Sequence, residues 1–162
     1  LMRIKIYSKY INRLKQNLIK AYDDEGLRAS SKYEAELQEI LSLNNIKLLG
    51  AFHSYFMENG RGPNSNPADY KKLAPIIYRW IEHKDNLPAF FKQNKDRMSF
   101  AIAHKIANEG VKVPNKYNKG KVVSKVIDDF IEKEVPKMLS EIELVEVKRI
   151  ESDFINQLTK KL

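Results

Sequence analysis

Tyr33-Glu34-Ala35-Glu36-Leu37, continuing to Leu41, then Asn44-Asn45, then Ile46-Lys47-Leu48-Leu49-Gly50-Ala51-Phe52, is the stretch on which the fold turns. Its first part alternates apolar and polar residues, the period-two pattern of a half-buried strand. Asn44-Asn45 is a turn signal, and residues 46–52 read as a second strand. Two strands so close in sequence predict an antiparallel hairpin, the simplest connection open to them. Residues 34–43 also score as helix, so both readings of the first strand stay open.

Upstream, Tyr7, Ile11, Leu14, Leu18 and Tyr22 recur at steps of three and four and predict one stripe of a helix. Asp23-Asp24-Glu25 and Gly26 end it, glycine being the usual residue of a left-handed C-terminal turn. Ala29-Ser30-Ser31 then makes a polar break.

Downstream, residues 60–67 carry two glycines, two prolines and two asparagines, which predicts an exposed loop reaching a neighbouring molecule. Leu73, Ile76, Ile77, Trp80 and Ile81 predict a short amphipathic helix with Pro75 near its first turn and Trp80 in the core. Phe90, Phe91, Met98, Phe100, Ile102 and Ile106 continue a helical core that Gly110 closes, and residues 111–120 form a second loop. Val122, Val123, Val126, Ile127, Phe130 and Ile131 begin a last helical region, which Pro136 should kink or interrupt. Residues 142–147 fit strand or helix, and Ile150, Phe154 and Leu158 return to helical spacing. The expected fold class is α+β. An N-terminal helix and further helices pack on a small antiparallel sheet, in one domain over 1–162 with an extended helical region at 121–162.

The apolar fraction of 43% and charged fraction of 31% are those of a globular protein. No apolar run approaches the roughly 20 residues that span a bilayer, and the N-terminus lacks a signal-peptide layout, so no membrane partner is expected. Without cysteine, disulfides and thiolate metal sites are excluded. The net charge of +8 is unevenly spread. Arg3, Lys5, Lys9, Arg13, Lys15 and Lys20 occupy residues 1–20 without an acid, and Lys112, Lys116, Lys119, Lys121 and Lys125 do the same over 110–125. Residues 128–153 carry nine acids against four basic residues. Segments of opposite sign suit either docking, within the chain or between subunits, or simple solvation.

His53, His83 and His104 stand alone, without the i, i+4 pair of a zinc helix, and no nucleophile elbow or phosphate loop is present. Glu58 and Asp23-Asp24-Glu25 are the nearest to acid/base candidates, but carboxylates at helix ends and turns are commonplace. No catalytic residue, cofactor or metal ligand is expected, and the chain reads as a non-enzyme. Tyr7, Tyr10 and Tyr22 interleave with Lys9, Arg13 and Lys20, as in a stacking and phosphate-binding surface. The tyrosines follow the core stripe, however, which favours packing. A small basic nucleic-acid-binding protein is therefore the alternative function.

Several segments, in order and spacing, resemble the neck and tail-completion proteins of tailed bacteriophages. Glu25-Gly26-Leu27-Arg28-Ala29-Ser30 is similar to that family's Thr-Gly-x-Leu-Arg-x-Ser turn. Gly50-Ala51-Phe52-His53-Ser54-Tyr55-Phe56-Met57-Glu58-Asn59-Gly60-Arg61-Gly62-Pro63 resembles its strand running into a Tyr-Ala-x-x-x-Glu-x-Gly-like turn. Ile77-Tyr78-Arg79-Trp80-Ile81 and Phe100-Ala101-Ile102-Ala103-His104-Lys105-Ile106-Ala107-Asn108-Glu109-Gly110 match its two following helices. The resemblance spans roughly residues 8–125; the acidic tail after Gly120 departs from it.

That resemblance implies a structural virion protein, made in the bacterial host cytoplasm, which assembles as a homo-oligomeric ring at the head–tail junction. It implies other neck, connector or tail proteins as partners, and DNA only as cargo passing through. Ring subunits need self-contacts that close. Glu58, Asn59, Gly60 and Arg61 in the first loop, and Lys15 and Lys20 on the basic helix, are the expected interface residues.

Overall fold

The computed structural model describes residues 2–27, 32–50 and 53–159. Its first helix, α1 (Met2–Asp24), buries Tyr10, Ile11, Leu18, Ile19 and Tyr22, with Tyr7 and Leu14 on the half-buried flank. The helix ends as its glycine predicts. Gly26 takes φ +63°, Leu27 N–H donates to the Tyr22 carbonyl (2.9 Å) and Gly26 N–H to that of Asp23 (2.9 Å). These paired bonds satisfy carbonyls that the helix leaves open.

The hairpin is present and shorter than expected. Strands β1 (Gln38–Ser42) and β2 (Asn45–Leu49) pair antiparallel, Gln38 opposite Leu49 and Ser42 opposite Asn45, around a two-residue loop at Leu43-Asn44. Tyr33 to Glu36 is not strand but part of a single helical turn, α2 (Lys32–Glu36). The reason lies in packing: the buried Tyr33 ring stacks on Tyr22, centroids 3.9 Å apart, and a strand would turn successive side chains to opposite faces. The break at residues 29–31, Arg28 of the Gly26-Leu27 turn, and Ala51-Phe52 at the second strand's expected end lie outside the described residues. A seven-residue helix, α3 (His53–Asn59), stands where the strand was expected to run directly into a turn.

Ala74 and Ile81 are buried in α4 (Tyr70–His83), which lies along α6 (Lys95–Glu109) after the short α5 (Ala89–Gln93). The buried stripe of α6 is Ser99, Ala103 and Ala107, not its aromatic residues; Phe90 and Phe100 are exposed. Side chains this small let two helices approach closely. Trp80 corrects the expectation of a core residue: it is 37% exposed, whereas its neighbour Ile81 is fully buried. The face of α4 turned to α6 runs through Ala74, Tyr78 and Ile81, so Trp80 falls one helical step to the side with the exposed Ile76. Pro75 sits in the second turn of α4, later than expected, with its ring to solvent.

Helix α7 (Val122–Lys133) and helix α8 (Val135–Thr159) complete the fold. Pro136 falls in the first turn of α8, where its missing N–H has no intrahelical partner to lose, and the break comes at Glu134. Residues 142–147 are helical. Helix α1 packs against α7, α8 and both strands. The core gathers Leu18, Ile19, Tyr22, Tyr33, Leu37 and Val122, with Leu48, Met57 and Val126 at its margin. The chain is thus mostly helical, with a two-strand antiparallel hairpin against its N-terminal helix. Among the described residues no helix is long and apolar enough to cross a membrane.

Candidate functional site

Three surfaces follow from these elements: a junction of two loops, a charged seam between α1 and α8, and the far face of α8.

The junction ties residues 58–64 to residues 107–124. Arg61 and Val111 exchange backbone hydrogen bonds, Arg61 N–H to Val111 oxygen at 2.9 Å and Val111 N–H to Arg61 oxygen at 2.8 Å. Gly60 and Gly110 flank this bridge at φ +76° and +73°. A Cβ on Gly60 would overlap the Val111 carbonyl, and one on Gly110 the Arg61 carbonyl, so the two backbones meet where only glycine fits. Asn64 N–H reaches the Ala107 carbonyl at 2.8 Å, and the Arg61 guanidinium donates to the Asn64 side chain.

Glu58 has a structural duty there. Its carboxylate accepts from Val123 N–H (3.1 Å), Ser124 N–H (3.0 Å) and the Ser124 hydroxyl, which closes the N-terminus of α7. A carboxylate at that end answers both the open N–H groups and the helix dipole. Asn118, which the sequence reading passed over, donates from Nδ2 to the Met57 carbonyl (2.7 Å) and accepts from Gly120 N–H (2.8 Å). The expected interface residues of this loop therefore divide. Glu58 and Gly60 are engaged inside the chain, Arg61 partly so, and Asn59 is exposed with its amide on the Tyr55 carbonyl. Residues 62, 63 and 65–67 face solvent, so only part of the loop is exposed.

Across the seam, cations of α1 meet acids of α8 and of the α7–α8 break. Arg3 Nε lies 2.5 Å from Glu146, Lys9 Nζ lies 2.6 Å from Glu141, and Arg13 pairs with Glu134 at the α7–α8 break. The buried Tyr10 hydroxyl adds a 2.8 Å bond to Glu141. Lys137 and Arg13 hold Glu134 below the usual glutamate range, Lys9 and Tyr10 do so for Glu141, and Arg3 for Glu146. Burial pushes the Tyr10 and Tyr22 phenols upward. Tyr10 and Tyr22 are thus core residues rather than a stacking platform. Lys20 pairs with Asp24 on its own helix, and Lys15 has no ionic partner among the described residues.

Among the described residues, unpaired positive charge also stands at Lys5, Lys15, Lys71 and Arg97, and is densest in the acid-free residues 110–125. Of its lysines, Lys119 reaches Glu25 at 4.0 Å and Lys125 sits in the field of Asp129. Lys112, Lys116 and Lys121 have no acid partner among the described residues. Tyr117, at the tip, is 82% exposed.

Helix α8 carries two apolar faces. Met138, Ile142 and Val145 are half-buried on the side that bears Glu141 and Glu146. On the opposite side Leu144, Val147, Ile150, Phe154, Ile155 and Leu158 are all exposed. Arg3, near the start of α1, already lies beside Glu146, so the helix continues past the end of its partner, and every residue from 147 to 159 is exposed.

The histidines are scattered. His53 lies near Glu36 and the Tyr33 ring, His83 contacts the Arg79 carbonyl, and His104 contacts Asn108 and Tyr70. Among the described residues no group of three or more His, Asp or Glu could hold a metal. Compared with family models, curated proteins and solved structures, the chain matches none.

Proposed function

We propose that the chain is a structural virion protein of a tailed bacteriophage, a ring-forming subunit of the neck or tail-completion region. The observation that carries this is the far face of α8. Six large apolar side chains along one side of a helix, five of them on the stretch that runs past the end of α1, form a contiguous surface that a lone soluble chain rarely leaves to water. A second copy of the chain is the occupant that a ring supplies. Because the part of α8 up to Glu146 holds its own subunit together, the stretch beyond it can bind a neighbour without unfolding anything. The neck-protein resemblance of residues 8–125 points to the same class.

The nucleic-acid alternative relied on the basic first helix. Arg3, Lys9, Arg13 and Lys20 all have carboxylate partners, which removes most of that support. Light scattering after size exclusion, with electron microscopy of the eluted species, tests the proposal. A closed oligomer is expected, reduced to monomer by Ile150→Asp with Phe154→Asp. A monomer that binds duplex DNA below micromolar concentration with a steep salt dependence overturns it in favour of the alternative.

A further inference from the structure

We infer that the loop of residues 112–121 is a contact surface for the phosphate backbone of duplex DNA, engaged through Lys112, Lys116 and Lys121 without reading bases. The inference rests on the ring proposal for the source of the DNA, and on the loop itself for the surface.

Unpaired lysines are denser in this segment than elsewhere in the described chain. The basic set on α1 is largely neutralised by Glu134, Glu141, Glu146 and Asp24. Residues 110–125 contain no acid, and three of their lysines lack any acid partner among the described residues. Between this loop and α6 runs an open groove of about 740 Å³ whose walls include Lys105, Lys112, Lys116 and Tyr117. Lys105 lies 4.0 Å from Glu109, so the groove is positive but not uniformly so. The Lys116 ammonium lies 5.7 Å from the Tyr117 ring centroid, and that ring stands out into solvent.

The loop is also held in shape before any partner arrives. Asn115 Oδ1 accepts from Tyr117 N–H (2.8 Å) and Asn118 N–H (3.0 Å), and the Gly60–Gly110 junction anchors its base. Cations on a fixed loop lose less freedom on binding than the same cations on a mobile one. Lys121 adds a separate sign. It adopts the left-handed conformation at φ +56°, where glycine or asparagine sits at lower energy. Backbone strain of this kind concentrates at functional positions.

Phosphate contacts position a duplex but carry no sequence information. Three lysines per subunit predict weak binding whose logarithm falls with that of salt at a slope of about −2.7, from about −0.9 per phosphate. Weak, sequence-independent contact suits DNA that must move past a ring rather than stay on it.

The test is fluorescence anisotropy of a labelled, arbitrary-sequence duplex with the full chain across a salt series, with oligomeric state recorded by light scattering on the same samples. Lys112→Gln/Lys116→Gln/Lys121→Gln is compared with Lys5→Gln/Lys15→Gln/Lys71→Gln, which removes equal charge elsewhere. The loop variant should bind at least about tenfold more weakly, with the slope reduced by about 2.7, and the control should change less than about threefold. Lys112→Gln/Lys116→Gln, which spares the strained position, should show about two-thirds of the slope change. Equal losses in loop and control variants, no loss in the loop variants, or no binding by the unaltered chain at low salt overturns the inference. A monomeric unaltered chain whose DNA binding the loop variant abolishes counts against the ring alone; DNA binding lost with assembly kept supports the loop assignment.

Discussion

The buried hydroxyl of Tyr10 and the Lys9 ammonium converge on one oxygen of Glu141, the phenol at 2.8 Å and the ammonium at 2.6 Å. Neighbouring residues on α1 thus face different surroundings, one packed and one wet, and share an acceptor on α8. Tyr10→Phe removes the buried donor and keeps the ring, so it should destabilise the fold by about 1 kcal/mol. Urea unfolding measures this; an unchanged midpoint would show that the bond contributes nothing net.

Acid should loosen the α1–α8 seam. Glu134, Glu141 and Glu146 each have a folded-state pKa below the ordinary glutamate value, because cations beside them favour the charged form. A depressed folded pKa means stability that is complete above the unfolded value and lost as pH falls through the folded one. Melting temperature should therefore drop below about pH 4.5, less steeply in Arg3→Met/Lys9→Met/Arg13→Met than in the parent. These side chains are partly exposed, so high salt should shrink the difference. Parallel acid profiles for parent and variant would sink this account.

Two glycines that share a positive φ should respond differently to alanine. Gly26 has φ +63° and open space around its missing side chain, so Gly26→Ala should cost about 1 kcal/mol, the left-handed penalty alone. Gly60→Ala meets the Val111 carbonyl as well and should cost clearly more, with Gly110→Ala behaving alike. Equal losses at Gly26 and Gly60 in thermal unfolding would mean that the junction yields easily.

On α4, Ile81→Ala should destabilise by about 2–5 kcal/mol, the range for emptying an apolar core site. Trp80→Ala should cost less, despite the larger side chain, because the ring is partly in water. A ranking with Trp80 above Ile81 would place the indole in a contact that the isolated chain does not show.

Local signals in the sequence were the ones that could be read. The helical step from Ile11 to Leu18 to Tyr22, the left-handed Gly26 and the hairpin before Gly50 all depend on residues close along the chain. Structure departs from local pattern where distant partners decide. Tyr33 is helical because it stacks on Tyr22 from another element. Trp80 lies to the side because α6 presents Ser99, Ala103 and Ala107, and such small side chains draw in the adjacent face of α4. Hydrophobic spacing marks a helix but does not say which edge of its stripe a neighbour will cover. The candidate site divides in the same way. The acid-free lysine run of 110–125 stands in the sequence itself, whereas the cap that Glu58 places on Val123 spans 65 positions and has no local signature.

Arg3 bonds to Glu146, a residue 143 positions later. On the ribosome, the hairpin strands can cover part of the apolar stripe of α1 early, but the helix waits for residues 134–146 before its ion pairs and its contact with α8 can form. Contacts of such long sequence separation form slowly and leave sticky surface open in the meantime. A product terminated before α8 lacks the acids that pair with Arg3 and Lys9 and the far apolar face of that helix. On the ring proposal, a chain ended before α8 has no such face to offer a neighbour and stays out of the assembly.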